Sequence, residues 1–565
     1  MQKPWEHYYS EGARAFDPAD IDHDTIVGLI DHAGREFAGR PALTTILPTG
    51  AATTITYAQL LDHANSFAAY LRDVVGLQAN DTVALMTPNC IGFCVASLGI
   101  AKAGCISTNV NPLYTAPELQ HQLSDSGAKV LVIIDLFGDK VDQVIANTGV
   151  ETVVTLSLVD FFPAVKKSIL GFVLKRIKKA VPDMKTPHTT MASALAQGRK
   201  AAQGADIAAY SSHVDPDHTA LYQYTSGTTG PSKGAELHHR GILINSHQAL
   251  LMTEKNMGPD GETTLIALPL YHITAFALIF IAGLRNGGHG ILVPSPRPPS
   301  NLKSALEKYQ ITWFTGINTL FAALMAEPWF DRKYFENFRF CGSGGAAQQS
   351  GVARKWEDMT GVTINQGYGM TECCGVLSLN PVTDNRLGTV GIPVPGMDVR
   401  IVDDDGNDVP QGTPGEVIFS GPTLMKGYLN RPDATAETIK DGWLYSGDIG
   451  VMDENGFIEI VDRKKDMILV SGFNVSPNEI EDVISRVPGV VQVGVIGIAD
   501  EKSTEVPAAF VVKGDDALTG EQIIEACRES LTNYKIPKRV EFVAEVPTTM
   551  SGKVLRRQLR EDYLN

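Results

Sequence analysis

The chain has 565 residues, 44% of them hydrophobic and 20% charged, a composition that suits a globular enzyme of two or more domains. Its net charge of −16 argues against a general nucleic-acid binder, since a phosphate backbone demands a basic face. Seven cysteines without metal-ligand spacing read as buried reduced thiols of a cytosolic protein.

Met1 to Glu6 leads into no apolar segment, so no secretory signal is expected. From 57 to 154, short apolar strands alternate with helical patterns: strands at 82–86 and 130–134, helices at 91–103 and 117–126. Buried strands between helices predict a parallel sheet covered on both faces. Residues 161–181 differ. They carry Lys166, Lys167, Lys175, Arg176, Lys178 and Lys179, no acidic residue, and interleaved Phe162, Val165, Ile169, Phe172, Val173, Ile177 and Val181. Two readings stand for this amphipathic helix: contact with an anionic membrane surface, or packing of its stripe on the protein's own core. Residues 187–210, rich in Ala, Gly and Thr, read as a connecting excursion.

A strand over 220–224 then leads into Thr225-Ser226-Gly227-Thr228-Thr229-Gly230-Pro231-Ser232-Lys233-Gly234. The glycines let backbone N–H groups close on a ligand as an anion nest, the hydroxyls add donors, and Lys233 adds a mobile charge. That chemistry suits a polyphosphate, although Lys233 stands three residues after Gly230 and so departs from the Walker spacing. Residues 265–284 approach membrane-spanning length, but Pro269, Tyr271 and His272 interrupt them; they read as a core strand, a loop and a buried helix.

A strand at 338–342, a helix at 346–359 and a strand at 362–366 follow. The turn Gly342-Ser343-Gly344-Gly345-Ala346-Ala347 satisfies a dinucleotide-binding fingerprint, yet Asn365 and Gln366 stand where that site needs an acidic residue. Next comes a loop, Gly367-Tyr368-Gly369-Met370-Thr371-Glu372: a glycine-flanked aromatic that offers a base a flat face, then hard oxygen ligands for Mg²⁺ beside a phosphate. From 390 to 461 the texture is all-β, and Asp448 after a glycine turn suits two ribose hydroxyls. A charged run, Asp462-Arg463-Lys464-Lys465-Asp466, separates this part from a small α+β region with strands at 490–498, 508–512 and 540–543. There Ser476-Pro477-Asn478-Glu479 starts a helix, and Ser551-Gly552-Lys553 ends a terminal loop on a lone lysine.

The stretch 225–234 resembles the phosphate loop of the adenylate-forming superfamily, which includes acyl-CoA synthetases, coumarate-CoA ligases, luciferase and peptide-synthetase adenylation domains. Asn109-Val110-Asn111-Pro112-Leu113-Tyr114-Thr115, Pro269-Leu270-Tyr271-His272 and 462–481 look especially like bacterial long-chain fatty acyl-CoA synthetases. Leu469 and Ser471 replace lysines of the coumarate and luciferase branches. The resemblance implies an α/β fold: a large N-terminal domain (1–461) of two βα-alternating sheets plus a β-rich subdomain (about 390–461), a hinge (462–466) and an α+β lid (467–565).

It also implies ATP-dependent joining of a long-chain fatty acid to coenzyme A through acyl-AMP, releasing AMP and pyrophosphate. Lys553, Glu372, Lys233 and His272 become its catalytic candidates. ATP is expected on Thr225, Ser226, Gly227, Thr228, Thr229, Gly230, Lys233, Gly344, Gly345, Ala346, Gln366, Gly367, Tyr368, Gly369, Met370, Thr371, Asp448, Arg463, Lys465 and Gly472, and Mg²⁺ on Thr228 and Glu372. The expected setting is the cytoplasm, with reversible contact with the inner membrane face through 161–181 and a homodimer as the candidate assembly. The alternatives are a ligase for medium-chain or other acids, an adenylation module loading a carrier protein, and a membrane-binding protein with a vestigial site.

Overall fold

The computed structural model describes residues 3–225, 232–471, 473–500, 502–549 and 552–564. Two large sheets face each other across buried helices. In the first, Thr189–Thr190, Thr152–Leu156, Ala128–Ile134, Thr82–Met86, Ile106–Asn109 and Thr219–Tyr224 run parallel in that spatial order, and Gly234–His238 closes the edge antiparallel. The second has nine strands. Its central, parallel members are Ile364–Met370, Phe340–Ser343, Trp313–Gly316, Thr263–Ile266, His289–Leu292 and Pro41–Ile46. The helix Ile91–Lys102 touches both sheets and is buried on every side, which explains a run apolar all round instead of on one face.

The β-rich part is a third sheet: Asp398–Val402, Gly415–Ser420, Trp443–Met452 and Ile439–Lys440, with Ile458–Arg463 paired to Trp443–Met452. The small C-terminal domain has its own sheet, in which Val490–Asp500 and Thr504–Lys513 form a long antiparallel pair and Arg539–Phe542 adds in parallel. The helices Pro477–Ser485 and Gly520–Ser530 cover it over a separate apolar core. The N-terminal domain thus combines mixed α/β sheets with a β-rich subdomain, and an α+β domain follows, as the sequence predicts.

Three local readings need correction. The predicted helix over 346–359 begins at Ser350, because Gln348 and Gln349 are held in a turn by Ser343 and Asn318. Gly367 to Met370 are not a loop but the end of the strand Ile364–Met370, paired antiparallel with Gly375–Leu379. The excursion at 187–210 contains the helix Met191–Ala202, capped by Thr190. A Cβ at its Gly198 would stand 1.8 Å from the Ser66 carbonyl oxygen, so glycine permits the close approach that packs this alanine-rich helix.

The segment 265–284 resolves into the strand Thr263–Ile266 and a buried helical run, Ile273–Ala275, Phe276–Ile281 and Ala282–Arg285. Among the described residues no helix is long and apolar enough to cross a membrane. The basic segment forms the helix Ala164–Phe172, continued by a wider π-helical turn, Val173–Ile177. It carries two apolar stripes. Leu170 and Leu174 pack inward with Leu47, Val159 and Phe162. Val165, Ile169, Phe172 and Ile177 face solvent at 73, 60, 60 and 66% exposure. Lys167 pairs with Asp160 at 2.8 Å, while Lys166, Lys175, Arg176, Lys178 and Lys179 stand exposed around the outer stripe.

Candidate active site

The site lies where strand ends of both large sheets meet the β-rich sheet. Tyr224 pairs with Gly234 across the edge hairpin, and the Thr225 N–H donates to the Lys233 carbonyl at 2.9 Å. This fixes the described residues on either side of the candidate phosphate loop. Ser226, Gly227, Thr228, Thr229 and Gly230 lie outside the described residues. The Lys233 ammonium sits 4.2 Å from the centroid of the Tyr428 ring. The Tyr428 hydroxyl in turn donates to Glu372 Oε1 at 2.6 Å. Tyr428 (7% exposed) and Glu372 (8%) are both buried. Burial and the Glu372 carboxylate hold the Tyr428 phenol well above its ordinary pKa, so it remains a donor. Lys233, Tyr428 and Glu372 therefore form one continuous group.

The strand Ile364–Met370 supplies a second group. Gly369 lies so close to Gly375 that a Cβ there would meet the Gly375 carbonyl oxygen at 1.7 Å. The Tyr368 hydroxyl donates to Asp448 Oδ2 at 2.5 Å, and its ring stacks on Phe419 at 5.9 Å. Asp448, 6% exposed, also pairs with Arg463, whose Nε is 3.4 Å from Oδ1, across their shared strand register. Gly344 opens the neighbouring turn, where a Cβ would stand 3.5 Å from the Gly367 carbonyl oxygen. Gly345 needs its glycine, at φ +81°. With Ala346 the turn flanks Gln366, whose residue pairs with Ser343 across the parallel strands and whose carbonyl accepts from Asn380. Met370 and Thr371 then turn the chain so that Glu372 points toward Tyr428.

Lys553 joins the two groups from the C-terminal domain. Its loop closes through Thr549, which accepts the Lys553 and Gly552 N–H groups. A Cβ at Gly552 (φ +80°) would stand 3.0 Å from Ile317 and 3.3 Å from Thr319 Oγ1, so the loop tip rests on the N-terminal domain. The side chain is exposed, yet surrounding protein desolvates it enough to lower its pKa from the ordinary lysine value. The Arg463 guanidinium lowers it further, against the opposing pull of Asp448, Glu372 and Asp466. His272 lies in the same field: burial first, and Lys553 second, push its imidazole down to about 4, so it is neutral at pH 7. Lys465 stands exposed in the turn after Arg463. Gly472 lies outside the described residues.

The sequence reading misses Tyr428 and Phe419. The Lys426-Gly427-Tyr428 stretch carries no chemistry-bearing spacing, and only folding places it between Lys233 and Glu372. Gly427 (φ +155°) lets this chain run against the strand Gly234–His238, where its carbonyl accepts from the Glu236 N–H at 2.9 Å.

Residues 30–429 match the family described as AMP-binding enzyme, and 479–553 match the AMP-binding enzyme C-terminal domain. The chain is 42% identical over 567 residues to a long-chain-fatty-acid–CoA ligase of Salmonella typhimurium, covering 100% of this chain and 98% of that protein. Identity to the Haemophilus influenzae protein of the same name is 40% over 572 residues, covering 100% and 99%. Among solved structures, ATP-bound MatB from Rhodopseudomonas palustris aligns with a TM-score of 0.79 at 29% identity, over 95% of this chain and 99% of that one. The chain belongs to the AMP-binding enzyme family.

Proposed function

We propose that the protein joins a long-chain fatty acid to coenzyme A in two steps on one site. A fatty carboxylate oxygen attacks the α-phosphorus of ATP, forming acyl-AMP and expelling pyrophosphate. The CoA thiolate then attacks the acyl carbon and AMP leaves. The observation that carries the reading is that Lys233 stands over Tyr428 beside Glu372, Arg463 pairs with Asp448, and the Lys553 loop, resting on the N-terminal domain, sets its charge in the field of both carboxylates. A carboxylate is already ionised at neutral pH, so the first step needs charge neutralisation and in-line placement instead of a base. Lys553 and Lys233 bring positive charge to the phosphates, and the Asp448–Arg463 pair suits a ribose. Long-chain preference follows the names of the relatives that match along the whole chain.

Glu372 fits Mg²⁺: one buried carboxylate with Oε1 fixed by Tyr428 suits a cation that takes one or two carboxylates plus phosphate and water oxygens. Among the described residues no cluster of three or more His, Cys, Asp or Glu competes for a metal. When bound, Mg²⁺ supplies further neutralisation of the phosphate charge. Lys553 is needed for the first step only, so we assign residues 462–466 as a hinge and the domain after it as a lid that turns between steps. Pyrophosphate release measured across saturated acids from short to long chain, with CoA and a carrier protein as rival acceptors, tests this reading. Preference for long chains with CoA supports it. Transfer to the carrier alone, or no dependence on acid, overturns it.

The same reading places the enzyme reversibly on anionic membranes, where fatty acids partition. The exposed stripe of Val165, Ile169, Phe172 and Ile177 is ringed by basic residues in a protein of net charge −16. Each basic residue near an anionic surface contributes about 1 kcal/mol. Changing Lys175, Arg176, Lys178 and Lys179 to Gln should weaken co-sedimentation with phosphatidylserine-containing vesicles and leave turnover of a soluble medium-chain acid unchanged. Undiminished pelleting would show that the outer stripe binds no lipid.

A further inference from the structure

We propose that Asp482 and Arg486 are positioning residues for Lys553. They latch the C-terminal domain onto the first turn of the helix Ser350–Thr360, in the orientation that places Lys553 in the cleft. The inference rests on the adenylation role proposed for Lys553. Asp482 belongs to the C-terminal helix Pro477–Ser485, whereas Ser350 opens a helix of the N-terminal domain. Asp482 Oδ1 accepts both the Ser350 N–H and the Ser350 hydroxyl, each at 2.9 Å. Arg486 Nε donates to Ser350 Oγ at 2.9 Å, and its other nitrogen holds Asp482.

The first turn of a helix leaves N–H groups without intrahelical partners, and a carboxylate there also meets the positive end of the helix dipole. A helix usually meets this need with its own N-cap side chain. Here the N-cap, Gln349, makes no such bond, because its side chain is engaged with Asn318 at 3.0 Å. The acceptor comes from the other domain instead. The approach is close enough that a Cβ at Gly351 would stand 3.2 Å from the Ser485 carbonyl oxygen.

The latch also sits where it senses the site. The turn Gly344-Gly345-Ala346 precedes it by a few residues, and one polar network spans the interval. Ser343 bonds Gln348 at 2.7 Å, Gln348 bonds Asn318 at 2.9 Å, and Asn318 accepts the Gln349 N–H at 3.1 Å. Asn318 lies between Ile317 and Thr319, on which the tip of the Lys553 loop rests. These two contacts of the C-terminal domain therefore flank one network behind the candidate nucleotide turn. Turning the domain away would uncap the helix, so latch and lysine engage and disengage together.

The test separates half-reactions in Asp482→Ala, Asp482→Asn and Lys553→Ala. In Asp482→Ala, fatty-acid-dependent ATP–pyrophosphate exchange should fall about 2- to 30-fold, the range expected for loss of one helix cap. Thioester formation from supplied acyl-AMP and CoA should hold or rise. Asp482→Asn keeps an acceptor for Ser350 but loses the charge, and should fall between wild type and Asp482→Ala. Amide hydrogen exchange supplies a second readout: protection should drop in the first turn of Ser350–Thr360 and persist in Val490–Asp500, which shows the domain still folded. Equal slowing of both half-reactions, or no change in their ratio, overturns the latch. If Lys553→Ala splits the half-reactions while Asp482→Ala does not, the latch alone fails; if neither splits them, the role of Lys553 fails as well.

Discussion

Replacing Tyr428 with Phe tests whether the link between Glu372 and Lys233 matters to the first step. The hydroxyl donates to a buried carboxylate at 2.6 Å, with both partners under a tenth exposed, so solvent screening is weak. Hydrogen bonds to charged groups contribute about 1.5–3 kcal/mol, which converts to roughly a 10- to 150-fold loss of kcat/KM for MgATP. The Phe ring keeps its place under the Lys233 ammonium. Tyr428→Leu removes that contact too, worth about 0.5–1 kcal/mol beside a part-exposed lysine, and should lose roughly a further 2- to 5-fold. The assay is fatty-acid-dependent ATP–pyrophosphate exchange over a range of MgATP, with thioester formation from supplied acyl-AMP as the control. Wild-type exchange in Tyr428→Phe would refute the assignment of the hydroxyl. Equal rates for Phe and Leu would refute that of the ring.

Lys553→Ala should cost about 10²–10³-fold in pyrophosphate exchange, the usual loss for one charge contact to a transition state, and leave the thioester half-reaction near wild type. The lysine acts while charged; that charge is present below its folded pKa and is lost as pH rises through it. Because this pKa is lowered, the alkaline limb of exchange should lie below the ordinary lysine value of about 10.4, and Lys553→Arg should shift it upward. Gly369→Ala forces a Cβ onto backbone at 1.7 Å and should cost about 1–3 kcal/mol or more, read as a drop in Tm together with loss of exchange. Lys465→Pro fixes φ in the exposed turn after Arg463, so one half-reaction should survive and the other fail; wild-type rates in both would place the hinge elsewhere.

The architecture is legible in the sequence where burial is one-sided or total. The strand Thr82–Met86 announces itself by its unbroken apolar run, and the helix Pro477–Ser485 by its Ser cap and Pro start. The helix Met191–Ala202 is hidden because alanine and glycine carry little apolar signal, although both allow close packing. The end of the strand Ile364–Met370 is hidden for the opposite reason: its glycines read as loop, yet they admit the neighbouring backbone. Within the candidate site, motif order points to Tyr368, Glu372, Asp448 and Lys553 separately. Their junctions are not legible, since Tyr368 meets Asp448 across 80 positions and Tyr428 meets Glu372 across 56. The charged run 462–466 mixes roles that sequence cannot separate. The Asp462 side chain is buried and caps the C-terminal helix through Ser476 and the Asn478 N–H, while Arg463 and Lys464 bond to the β-rich sheet.

In the proposed reaction the acid is activated as acyl-AMP. The most direct test supplies palmitate labelled with ¹⁸O in both carboxylate oxygens, together with ATP, Mg²⁺ and CoA, and analyses the products by mass spectrometry. Attack of the carboxylate on the α-phosphorus carries one labelled oxygen into AMP and leaves the other in the thioester, with pyrophosphate unlabelled. Label in inorganic phosphate, accompanied by ADP, would show activation as an acyl phosphate and rule out acyl-AMP.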